Sequence, residues 1–217
     1  MKIIDLSHEI HAGMAVYPGM PSPKIDVLLG HGQASGHYSL GTSFQIAGYN
    51  LGGNTGTYLD SPFHRFANGV DLAGLPLEKL VNLEGIVVSA LGRDAIDSSA
   101  FSGIDLRGKA VLVRTDWSLR WDDAEDYFRS GPFLTRDACE LLTGAGATLV
   151  GIDCANIDSM QDPDRPAHTV LLRAGIPIVE HLCHLDALPR DGFSFHAAPP
   201  AIRNGTSFPV RAFAIVG

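Results

Sequence analysis

Apolar residues along this chain gather in short runs rather than in long helical periodicities. β-Branched and aliphatic stretches at 3–6, 24–29, 83–89, 110–114, 148–152, 176–180 and 211–216 each predict a strand. Helical spacing is rarer. Residues 135–143 show it behind Thr135, a residue type suited to an N-cap, and 167–174 ends at Gly175, suited to the position just past a helix. Segments 135–152 and 168–180 run helix, glycine, apolar strand, the order of α/β units in which helices cover a sheet. The predicted fold class is therefore mixed α/β. Residues 30–56 differ: rich in Gly, Ser, His and Asn, with short alternating pieces such as 43–46, they predict hairpins and site-forming loops. No internal repeat, charge block or low-complexity linker interrupts the chain, so a single domain spanning 1–217 is expected.

Composition narrows the function classes. With 217 residues and 45% hydrophobic content the chain can bury one substantial core. A formal charge of −8 and no Lys/Arg cluster exclude an electrostatic nucleic-acid binder and leave small molecules as the expected partners. The first residues turn polar by Asp5, unlike a signal peptide, and no apolar run is long enough to span a bilayer, so a cytoplasmic protein without a membrane partner is expected. Cys139, Cys154 and Cys183 form no CxxC pair and suit reduced thiols, with Cys154 read as a small apolar residue beside a strand.

The densest chemistry lies in Gly53-Asn54-Thr55-Gly56-Thr57-Tyr58-Leu59-Asp60-Ser61-Pro62-Phe63-His64. Polar and potential ligand residues recur there every second or fourth position, which projects them to one side of an extended strand. Asp60 can offer a carboxylate to a metal ion. His64 follows a proline that breaks the strand and can turn the imidazole back toward it. Taken singly, each residue is as well explained by a turn, a cap or a surface role.

Together they resemble a signature, His-x-Gly-Thr-His-x-Asp-x-Pro-x-His, of the metal-dependent cyclase and kynurenine-formamidase-like hydrolases, read here from Asn54 to His64. Gly56, Thr57, Asp60, Pro62 and His64 match, whereas Asn54 and Tyr58 replace the first two histidines. The resemblance extends to Asp5-Leu6-Ser7-His8, to Tyr17-Pro18-Gly19, where Tyr17 would line the substrate pocket, and to the block from His168 to Glu180. It implies a swivelling β/β/α architecture, a central mixed sheet or barrel-like core flanked by helices. It further implies Asp60, His168 and Glu180 as ligands of one divalent ion and His64 as the proton-transferring residue. Asn54 and Tyr58 are poorer zinc ligands than imidazole, so a second metal is not expected. One ion, Zn or Mn with Mg possible, suits an oxygen-rich set containing one histidine. Tyr58 is left either as a phenolate ligand or as a hydrogen-bond donor to a substrate oxyanion.

The implied activity is hydrolysis of an amide, formamide or cyclic amide of a small molecule. A cyclase or dehydratase reaction, or a metal-poor silent binding protein, are the alternatives, and a homodimer or homotetramer is the implied assembly. Other candidates have plainer readings. His181, Cys183 and His184 suit packing and surface roles, because alternation places Cys183 opposite His184. Trp117, Trp121, Tyr127 and Phe128 form either a substrate rim or a core cluster. Asp153 and Asp158, flanking Asn156 at a strand end, are ligands or turn formers.

Overall fold

A computed structural model describes residues 1–34, 38, 39 and 41–217; positions 35–37 and 40 of the expected loop segment lie outside the described residues. Nine strands form one sheet. Its spatial order is Lys2–Asp5, Phe213–Val216, Phe193–His196, Leu83–Ser89, Ala110–Arg114, Leu149–Ile152, Ile178–Glu180, Tyr58–Asp60 and Ser207–Pro209. The middle four of these, from Leu83–Ser89 to Ile178–Glu180, run parallel, and the flanking strands are antiparallel. The fold is thus mixed α/β, as the alternation of strand and helix predicts.

Strand periodicity sorts the core into two compartments. Val111, Val113, Val150, Ile152 and Ile178 point to one face, where Arg136–Ala145 and Pro166–Arg173 cover them with Leu142, Leu171 and Leu172. Ala110, Leu112, Leu149, Val179 and Leu59 point to the other, filled also by Phe193 and Phe195. The sheet curls around this second compartment. Ser7, just past one edge strand, bridges to Leu182 beyond the seventh strand, so the chain start is tied to the far side of the sheet.

The expected strands recur with ends shifted by two residues or fewer, but Lys24–Leu29 leaves the main sheet and pairs with Ile46–Asn50 in a separate ribbon. Gly175 takes φ +71° after Pro166–Arg173, as its position predicts. Thr135 stands at the start of Arg136–Ala145, yet its hydroxyl caps no helix amide; it reaches Asp137 Oδ1 at 2.5 Å and the Ile96 carbonyl at 3.2 Å. A tertiary partner outcompetes the local cap.

Gly85 shows what the curl demands. It pairs with Phe193, and a Cβ there would lie 2.0 Å from the Phe193 ring, so only glycine lets the ring lie across the strand. Gly85→Val is expected to destabilise the fold by about 3 kcal/mol in urea unfolding, with part of the loss recovered in the Gly85→Val, Phe193→Ala double variant. An additive double variant would place the strain elsewhere.

Candidate metal centre

Register assembles the site. Tyr58 stands opposite Glu180, and Asp60 stands between Ile178 on one neighbouring strand and Ser207 on the other. Because Leu59 and Val179 fill the interior, Tyr58, Asp60 and Glu180 all face the helical side. Pro62 ends the strand and opens a tight turn, Pro62–His64, which brings His64 Nδ1 to 4.0 Å from Asp60 Oδ1. His168 enters from the first turn of Pro166–Arg173, its Nε2 3.6 Å from Asp60 Oδ2 and 3.9 Å from Glu180 Oε1.

Supporting residues set these orientations. Asp158 accepts from the backbone N–H groups of Ala167 (2.6 Å) and His168 (3.1 Å) and from His168 Nδ1 (2.6 Å). With Nδ1 so engaged, His168 presents Nε2 to the site. The Ser207 hydroxyl donates to Asp60 Oδ1, and its oxygen lies 3.2 Å from His64 Nδ1. Glu180 is held at both oxygens, by the Tyr58 phenol at Oε2 and the Ile157 N–H (2.6 Å) at Oε1.

Among the carboxylate oxygens of Asp60, Asp158 and Glu180, one is left over. Asp60 Oδ2 is buried without a hydrogen-bond partner among the described residues. One ligand atom each from Asp60, His64 and His168 lies within 4.8 Å of the others. A carboxylate oxygen and two imidazole nitrogens around an unsatisfied anion fit a divalent cation. The family resemblance assigns Glu180 to the ligands and His64 to proton transfer; in this geometry His64 stands within the ligand group and Glu180 at its edge.

Electrostatics follow from burial and pairing. Burial opposes ionisation of Asp60, but His168, His64 and Ser207 outweigh it and hold the carboxyl below its ordinary range. Burial likewise opposes the His168 imidazolium, yet Asp158, Asp60 and Glu180 push its pKa up to about 10. Burial raises Glu180 despite the nearby His168. Burial, with Glu180 and Asp60 adding, drives Tyr58 far above the ordinary phenol value. Tyr58 accordingly stands as a phenol donating to Glu180.

The remaining candidates separate cleanly. Asn54 and Tyr17 line a cavity of about 290 Å³ together with Tyr58, His64, His168 and Glu180. Trp117, Trp121, Tyr127 and Phe128 pack with Ala155 and Tyr17 in one cluster, in which Tyr127, Phe128 and Ala155 are buried and the two tryptophans partly so, and which meets the cavity through Tyr17. His8 stacks on Trp121 at 3.8 Å between centroids, which places the first matching block behind the site. Asp153 binds the Thr115 and Asp116 amides and the Thr115 hydroxyl, a structural duty. His181 and Cys183 are buried, and His184 is exposed. Sequence reasoning missed Ser207, Arg65 and Arg165; of these, only the strand pairing reveals Ser207.

The sequence profile of the family described as "Putative cyclase" matches residues 4–159. The chain belongs to the cyclase family. Kynurenine formamidase of Bacillus cereus is 26% identical to this cyclase-family chain over 213 residues, covering 96% of it and 95% of the relative. That of Salinibacter ruber is 27% identical over 213 residues, covering 98% and 96%. Isatin hydrolase A from Ralstonia solanacearum superposes with a TM-score of 0.85 at 24% identity, over 100% of this chain and 92% of that one. An isatin hydrolase bound to thioisatinate gives 0.84 at 24% identity, over 99% and 92%. These likenesses show the fold.

Because His168 carries a proton that a cation must displace, zinc affinity is expected to rise about tenfold per pH unit between pH 6.5 and 8.5, read by chelator competition. A flat profile would mean that His168 is not a ligand. Asp158→Asn is expected to weaken zinc binding about 10- to 100-fold, by the same assay.

Proposed function

We propose that this cyclase-family protein is a metal-dependent hydrolase that cleaves an amide carbon–nitrogen bond of a small molecule, an arylformamidase-like reaction. The observation that carries the reading is the buried, unsatisfied Asp60 Oδ2 facing His168 Nε2 at 3.6 Å beside the cavity. The name shared by the curated relatives, kynurenine formamidase, supports the amide.

Asp60 and His168 would anchor a single ion, Zn or Mn with Mg as a further option, with Glu180 and His64 flanking them. When bound, such an ion supplies Lewis-acid chemistry, polarising a carbonyl and acidifying water. Asn54 and the protonated Tyr58 provide no comparable second set. His64, with a side chain 33% exposed, is the member of the group most open to the cavity, and we assign it the proton transfer. It takes a proton from the attacking water as the water oxygen bonds to the carbonyl carbon. It then returns that proton to the departing nitrogen as the carbon–nitrogen bond breaks, leaving an amine and a carboxylic acid. Tyr58 keeps Glu180 in place rather than serving the substrate.

Protein purified without chelators is expected to hold one divalent ion per chain by elemental mass spectrometry and to hydrolyse formanilides. His64→Ala is expected to lower kcat about 100-fold or more. Undiminished turnover would remove His64 from the mechanism, and no turnover with Zn, Mn or Mg would overturn the hydrolase reading.

We also propose self-association through the Lys24–Leu29 and Ile46–Asn50 ribbon. Val27, Leu28, Ile46 and Tyr49 are 51% to 70% exposed there, and a free two-stranded ribbon is marginal in water. Sedimentation is expected to show a dimer or tetramer, and Val27→Asp a monomer; an unchanged oligomer would place the interface elsewhere.

A further inference from the structure

The cavity over the metal centre is also lined by two guanidinium groups, Arg65 and Arg165. Neither is accounted for by the cation or by proton transfer. The chain has 24 acidic residues against 16 basic ones, so an arginine that needs only a surface counter-ion has many to choose from. Among the described residues five of the twelve arginines, Arg93, Arg114, Arg120, Arg129 and Arg211, pair with carboxylates; Arg65 and Arg165 are among the seven that do not, and they are the two that line this cavity.

Both are nevertheless held in place. Arg165 Nη1 donates to the Ser159 carbonyl at 3.3 Å, with Asn156 Oδ1 at 3.5 Å, and its other guanidinium nitrogens have no hydrogen-bond partner among the described residues. Arg65 is fixed by Nε donating to Thr169 Oγ1 at 3.2 Å, and its guanidinium lies 5.6 Å from the Phe66 ring centroid. Thr169 and Arg165 belong to the same turn, since the Thr169 amide bonds to the Arg165 carbonyl at 2.9 Å. Arg165 itself takes φ +47°, a left-handed conformation unfavourable for a long side chain, at the residue just before the helix that carries His168. A strained, oriented and unpaired guanidinium facing a site is a preformed receptor for a planar anion.

The same lining says what it does not receive. Glu180 is its single carboxylate, and both Glu180 oxygens are already engaged by Tyr58 and Ile157. Asn54 and Asn156 offer amide oxygens, but nothing in the lining pairs with an ammonium as the arginines pair with a carboxylate.

We infer that this cavity selects amides bearing a carboxylate and no ammonium, the carboxylate being received by Arg165 and Arg65. That the bound acid is a substrate rests on the hydrolase reading; that the cavity binds the acid does not.

The test is calorimetric binding of 2-aminophenyl alkanoates with spacers of none to four carbons, each set against its primary amide and its α-amino acid counterpart. At the best spacer, the acid is expected to bind at least twentyfold tighter than either counterpart. The preference over the amide is expected to fall to about twofold in Arg165→Gln, to fall severalfold in Arg65→Gln, and to recover in part in Arg165→Lys. It is expected to persist when a chelator is present, because it depends on the arginines. Equal affinity for acid and amide in the wild-type protein, tighter binding of the amino acid, a preference lost on chelation or one untouched by both arginine variants would each overturn the proposal. Formanilide turnover is scored separately, so its absence would count against the hydrolase reading and not against the anion receptor.

Discussion

A carboxylate taken wholly out of water must be neutralised where it lies, and the interior of this protein is organised around one such group. Asp60 is fully buried, one oxygen satisfied by Ser207 and the other bare. Burying a charge without a partner is costly, so the carboxyl stays ionised there only beside a positive group. Two are possible at the same spot: the His168 proton, retained to about pH 10, or a divalent cation that displaces it.

The second buried acid is handled differently. Glu180 accepts hydrogen bonds from the Tyr58 phenol and the Ile157 amide, so both its oxygens are satisfied by donors, one of them directly across the sheet register. Tyr58 thus closes a buried contact with Glu180 across the sheet register.

Much of this was legible in the chain. Apolar runs such as 110–114 and 148–152 announced strands, and the glycine at 175 marked a helix end. Alternation from Tyr58 to Asp60 placed both on one face. Other features were not legible. Thr135 turned from its cap to Asp137 and to the Ile96 carbonyl that folding brings to it, and Lys24–Leu29 left the main sheet, since a strand pattern states only that a residue run is extended and not what it pairs with. Asp158 read as a ligand or a turn former, because its role depends on a helix whose residues lie 9 and 10 positions away.

What the sequence determined alone is the local chemistry: which residues are strand-forming, which can ligate a cation, and that asparagine and tyrosine replace imidazoles at positions 54 and 58. What only the tertiary structure decided is pairing. Ser207 meets Asp60 across 147 residues, Tyr58 meets Glu180 across 122, and Arg65 meets Thr169 across 104. Spacing along a chain specifies the face on which a side chain emerges, whereas the partner it meets is set by strand order and register. Those are global solutions to burying two apolar faces at once, and they exist only when the whole sheet has closed.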